Sequence, residues 1–193
     1  MSWSLHLEFY SIKFDIMSTA VQLNRRAERP GFSSEDEMVD SFADHLAHAH
    51  TPWGAVEFTR EWDYRNGVTD VLARDSEGRL IAFEAKLSDW RRAAHQAYRN
   101  TVFAGVAYVV MPAGKAAAAA KHLPVFEAYG VGLCSFDGKR VRILIEAKPS
   151  KPLIPWLRAS AEEFFDRGPR DHSGGLGKGR SGGLFETEGH ASA

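Results

Sequence analysis

With 193 residues, 44% of them hydrophobic and 25% charged, the chain is long enough for one compact domain with a substantial core. Its single cysteine, Cys134, excludes an intrachain disulfide framework and a CxxC or Cys/His zinc cluster. The net charge of −1 hides an asymmetry, because Glu28–Glu57 carries seven acids and one base while Lys86–Lys121 carries six bases and one acid.

Residues 1–30 read as a weakly structured extension, with Met17 as a second candidate start. The opening "MSWSLHLEFYSIKFDIM" contains Glu8 and Asp15 and lacks a basic start, so it does not read as a secretory signal. No run is long and apolar enough for a bilayer, and the expectation is a cytoplasmic protein without membrane contact. Ser33–His50 predicts an amphipathic helix, with Ser34 and Glu37 spaced as a capping box. Ala55–Trp62 predicts a strand. Residues 67–74 and 79–87 predict two more, joined by the turn Asp75–Gly78. Ser88–Phe103 predicts a helix capped by Ser88, and the continuous apolar run Val106–Pro112 a strand buried on both faces.

The alanine-rich stretch Ala113–Leu123 predicts a further helix, interrupted at Pro124, where a short second one begins. Residues 131–136 and 140–147 predict a hairpin across Asp137–Gly138, and Pro155–Arg167 a closing helix. The Gly- and Ser-rich residues 168–193 predict a disordered tail in which Arg170, Lys178 and Arg180 are solvated. The order of elements over residues 31–167 implies an α/β fold, three layers around a central mixed sheet.

The segment "GVTDVLARDSEGRLIAFEAKLSDW" places three charges where a core strand pair belongs. Strand alternation sends Ile81, Phe83 and Ala85 to one face, and Ala82, Glu84 and Lys86 to the other. Asp70 lies fourteen positions before Glu84, and a hairpin of that length returns it toward Glu84. Two carboxylates so close repel, and a divalent cation relieves the repulsion. Oxygen donors of this kind suit Mg²⁺ or Mn²⁺ rather than zinc. Lys86 beside them has two candidate roles, deprotonation of the attacking water or, favoured here, orientation of that water and stabilisation of a charged transition state. On the first helix, Glu35 starts the apolar stripe that continues through Val39, Phe42 and Leu46, whereas Glu37 shares the outer face with Ser41, Asp44 and His45. Glu35 is therefore the candidate third acid, and Glu37 the cap. The basic helix supplies Arg91, Arg92 and Arg99 for phosphates, with Gln96 on the face of Arg92 and Arg99.

Asp70, then Glu84-x-Lys86, then a helix and a buried strand, resembles the PD-(D/E)xK nuclease superfamily, which includes type II restriction endonucleases, Holliday-junction resolvases and RecB-type nucleases. The "SEDEMV" helix resembles the leading helix of the resolvase-like branch. The resemblance spans about Ser33–Ala147. It implies a restriction-endonuclease-like fold and a metal-dependent nuclease acting on DNA. Asp70, Glu84 and Glu35 would hold Mg²⁺ (or Mn²⁺), and Lys86 would serve the attacking water. Resolvases and many restriction enzymes dimerise, so a homodimer is one arrangement it allows. The chain departs from the pattern at Thr69, where many members have proline. It departs again at Gln96 and Tyr98, two apart where RecB-type members space Gln and Tyr by four.

Other features read as structural. A second "IEAK" at Ile145–Lys148 follows Asp137, but Asp137 belongs to a turn and no helix follows Lys148, so an edge strand with solvent charges accounts for it. His45, His48 and His50 cluster where a helix C-terminus favours cations. Trp90, Tyr98 and Cys134 fit core packing. A nuclease-fold module that binds nucleic acid or a protein without cutting is the alternative, although it has no need of the acids. An unrelated small-molecule enzyme would show a glycine-rich phosphate loop, and the chain has none.

Overall fold

The computed structural model describes residues 31–48, 51–65 and 67–167. The expected N-terminal extension, the tail beyond residue 167 and His50 lie outside the described residues. Helix α1 (Glu35–His48) precedes strands β1 (Val56–Asp63), β2 (Val68–Asp75) and β3 (Leu80–Ala85). Helix α2 (Trp90–Asn100) leads to β4 (Val106–Pro112), and α3 (Ala113–Ala119) to a 3-10 turn at Ala120–His122 and α4 (Leu123–Tyr129). Strands β5 (Gly132–Phe136) and β6 (Val141–Ile145) and helix α5 (Pro155–Asp166) complete the described residues.

The six strands form one mixed sheet in the order β1-β2-β3-β4-β5-β6. The first three run as an antiparallel meander, β3, β4 and β5 are mutually parallel, and β6 returns antiparallel at the edge. Both faces of the sheet are covered. On one, α1 lays Met38, Phe42 and Leu46 against Ile81, Phe83, Val110 and Phe136. On the other, Ala93, Ala94 and Ala97 of α2 pack with Leu80, Ala82, Val109 and Met111, joined by Phe126 of α4 and Leu157 of α5. The architecture is the three-layer α/β arrangement that the order of elements implies. Strand β3 is buried along its whole length, as a central strand between two helical layers must be.

Local chemistry sets the boundaries. Ser34 Oγ accepts the Glu37 N–H at 3.0 Å, and the Glu37 carboxylate reaches back to the Ser33 N–H at 2.7 Å. The return bond thus falls one residue before the cap, a small shift from the expected box. Helix α2 is capped by Asp89 and not by Ser88: Asp89 Oδ1 accepts the Arg92 N–H at 3.1 Å, while Ser88 only offers its carbonyl to the Trp90 N–H at 3.0 Å. A carboxylate at this position also suits the positive helix start. The helix stops at Asn100, three residues before the expected end, because the chain tightens into turns through Phe103. The alanine helix narrows to 3-10 geometry at Ala120, where the ring of Pro124 would meet the carbonyl four residues back.

Helix α1 is anchored by Phe42, whose ring meets Phe83 and Phe136 edge-on at 5.1 and 5.5 Å. Phe42→Ala is expected to cost about 3–5 kcal/mol. Urea unfolding checks this, and a loss below about 1 kcal/mol would show that α1 is not fixed by this contact.

Candidate active site

The β2–β3 register pairs Val71 with Phe83 and Leu72 with Ala82. Continued one step, it sets Asp70 opposite Glu84. Two β-strands therefore bring together carboxylates fourteen positions apart in the chain. Asp70 is fixed by the Ala85 N–H, which donates to its Oδ2 at 2.7 Å. Glu84 is 1% exposed, and Asn100 Nδ2 donates to its Oε1 at 2.6 Å. Its other oxygen, Oε2, is buried without a hydrogen-bond partner.

Burial is the main force on both groups, and the charge of Asp70 adds to it for Glu84. Glu84 is pushed up to about 8, first by desolvation and then by Asp70, against the opposing pull of Asn100, Lys86 and Arg99. Asp70 is also raised, by desolvation first; the Ala85 N–H and Lys86 oppose this, and Glu35 and Glu61 add to it. Four carboxylates, those of Asp70, Glu84, Glu35 and Glu61, act here against two cations, Lys86 and Arg99.

Lys86 follows β3, its N–H held by the Val110 carbonyl at 3.0 Å. Its Nζ donates to Glu35 Oε2 at 2.6 Å, with the Lys86 side chain 12% exposed and that of Glu35 43%. Glu35 thus comes to the site as the partner of Lys86. Among the described residues, no group of three or more His, Cys, Asp or Glu side chains gathers closely enough to hold a metal ion. Asp70 and Glu84 are the convergent pair.

The candidate phosphate residues on α2 divide. Arg99 acts electrostatically on Glu84 and Tyr64, at the edge of the site. Gln96 sits one turn before Asn100 and is half-buried, with Oε1 buried and unpartnered. Arg92 is exposed, and the Arg91 guanidinium lies 4.5 Å from the Trp90 ring centroid. Trp90 packs on His122 and Phe126, and Tyr98, expected in the core, is 46% exposed and stacks on Tyr129. Cys134 is buried, and its thiol is pushed well up by desolvation. His45 is also not on a free outer face: it is half-buried beside Phe136, and burial lowers its pKa. Asp137 accepts the N–H groups of Lys139 and Arg140, as a turn residue does, and Glu146 is exposed on the edge.

Three residues of the site escape a sequence reading. Glu61 stands opposite Asp70 when the β1–β2 register is followed through Arg60–Val71 and Trp62–Thr69. Its φ of 50° is left-handed, a conformation uncommon for a side-chain-bearing residue. Asn100 is 1% exposed, and Tyr64 Oη donates to its Oδ1 at 3.3 Å. The available signal for Asn100 was a polar side chain on the stripe of Ala93 and Ala97.

No protein-family profile matches the chain, and no curated protein matches it. Among solved structures it is similar to a protein of unknown function from Silicibacter pomeroyi, at a TM-score of 0.49 and 18% identity, covering 67% of this chain and 82% of that one. A repair endonuclease from Pyrococcus abyssi is similar at 0.39 and 21%, covering 57% of this chain and 50% of that one. EndoMS in complex with double-stranded DNA is similar at 0.36 and 20%, covering 64% of this chain and 48% of that one. The chain spans about half the length of the latter two. Among the described residues no helix is long and apolar enough to cross a membrane.

The raised carboxyl pKa has a measurable consequence. Folded Glu84 keeps its proton up to about 8, and when unfolded only to an ordinary 4.5, so the folded state binds more protons in between. Stability of the metal-free protein is therefore expected to fall as pH rises through that window. Glu84→Gln should flatten the slope. Thermal melts in chelator across the window check this, and equal slopes in both proteins would contradict it.

Proposed function

We propose that the chain is a metal-dependent nuclease of the PD-(D/E)xK type, hydrolysing DNA phosphodiester bonds with Mg²⁺ (or Mn²⁺). The observation that carries the reading is the Glu84 carboxylate: buried, next to Asp70 in register, and with one oxygen lacking any partner. A buried carboxylate is normally satisfied, so an orphaned oxygen at a two-acid site calls for a ligand. The donors are hard oxygens, which fits Mg²⁺ or Mn²⁺. Mg²⁺ commonly takes one or two carboxylates and completes its shell with water and substrate oxygens, so the pair Asp70 and Glu84 suffices. When bound, such an ion polarises the phosphodiester and lowers the pKa of a coordinated water.

The remaining chemistry belongs to the chain. The Ala85 N–H fixes Asp70, and Asn100 fixes Glu84, so neither carboxylate must reorganise. Lys86, mostly buried and steadied by Glu35, orients the attacking water and offers positive charge to the oxygens of the transition state. Glu35 supports Lys86 in this account. Arg99 at the rim and Arg91 and Arg92 farther along α2 contact phosphates, with Gln96 on the same helix.

Purified protein incubated with duplex, nicked, branched and single-stranded DNA is expected to cut in Mg²⁺ or Mn²⁺ and not in chelator. Asp70→Asn and Lys86→Ala should each lower the rate by at least about 100-fold, with melting temperatures close to wild type. Glu146→Gln, just past the edge strand β6, should cut normally. Normal cutting by both site variants would place the site elsewhere. Salt-sensitive DNA binding without cutting in any divalent cation would favour a non-cutting module.

A further inference from the structure

The turn between β1 and β2 is shaped around one side chain. Asp63 Oδ1 accepts the Arg65 N–H at 2.7 Å, and the Tyr64 N–H donates to the Gly67 carbonyl at 3.1 Å. Arg65 takes a left-handed φ of 70°. The turn sends Tyr64 inward against Trp62 and Phe103, at ring distances of 5.7 and 5.3 Å. Residue 67 must be glycine for this, because a Cβ there would lie 2.5 Å from Tyr64 Oη. From this position Tyr64 Oη donates to Asn100 Oδ1 at 3.3 Å. The amide is thereby oriented with Nδ2 toward Glu84 Oε1, at 2.6 Å.

The network Tyr64–Asn100–Glu84 is buried, yet it stops one atom short, at Glu84 Oε2. A network serving packing alone would be closed, since each unmet buried polar atom is costly. We propose that Asn100, oriented by Tyr64, is a positioning residue that occupies one oxygen of Glu84 and presents the other to a divalent cation. This rests on the metal-dependent reading above. Hydrogen bonds of this outer kind set the orientation of metal-ligating groups, and losing one commonly weakens metal binding by about 10–100-fold.

The test is Mn²⁺ binding followed by electron paramagnetic resonance, alongside thermal melts in chelator. Four proteins are compared: wild type, Asn100→Leu, Tyr64→Phe and Asp70→Asn. Asn100→Leu keeps the volume and removes the donor, and should weaken Mn²⁺ binding by about 10–100-fold. Tyr64→Phe keeps the ring packing but leaves Asn100 Oδ1 without its donor, so it should weaken binding less than Asn100→Leu and lower the melting temperature in chelator only modestly. If Asn100→Leu fails to fold, Tyr64→Phe still decides. Wild-type affinity in the folded variants, with binding lost in Asp70→Asn, would overturn the positioning role and leave the metal site standing. No Mn²⁺ binding by wild type, or equal binding by Asp70→Asn, would overturn the metal site and this inference with it.

Discussion

The structure turns on two carboxylates that the sheet register forces together, Asp70 half-buried and Glu84 fully so. Asp70 and Glu84 belong to neighbouring strands, and the burial that makes β3 a central strand also strips Glu84 of solvent. Such a pair is unfavourable without a counter-charge. The chain answers only in part: one backbone N–H on Asp70, one amide on Glu84, a lysine already engaged by Glu35, and Arg99 acting on Glu84. The remaining deficit, one orphaned oxygen and two raised pKa values, is the physical basis of the proposed cation site. A site that tolerates this cost fits the pattern in which functional groups are kept at the expense of stability.

The rest of the fold can be understood as support for that arrangement. The antiparallel meander delivers Asp70 to Glu84, and the parallel neighbour β4 holds Lys86 through its backbone. Helix α1 crosses one face and brings Glu35 to Lys86. Helix α2 crosses the other and brings Asn100 to Glu84. Each helical layer thus contributes one polar residue to the same end of the sheet, and the apolar stripes on both helices fix where those residues fall. The same packing brings Arg99 of α2 close enough to act on Glu84.

What could be read from sequence follows from the periods involved. Strand alternation is rigid, so Glu84 and its relation to Asp70 followed from spacing and a turn signal. Helix periodicity separated Glu35 from Glu37 correctly, because a capping pattern and an apolar stripe make different demands on the two residues. Asp89 as the cap of α2 was not legible, since Ser88 and Asp89 are both good caps and only the loop path chooses between them. Asn100 and Tyr64 were not legible either. Their roles depend on how α2 crosses the sheet and on a turn whose left-handed Arg65 carries no glycine signature. Glu61 depended on the exact β1–β2 register, which a one-residue slip would have turned to the other face. His45 read as solvent because α1 alone does not reveal that Phe136 lies beside it.

The most direct measurement is anomalous diffraction from a crystal of this protein soaked in Mn²⁺. The account predicts one strong peak within bonding distance of an Asp70 oxygen and of Glu84 Oε2. A peak elsewhere, or none at saturating Mn²⁺ with both carboxylates ordered, would contradict it.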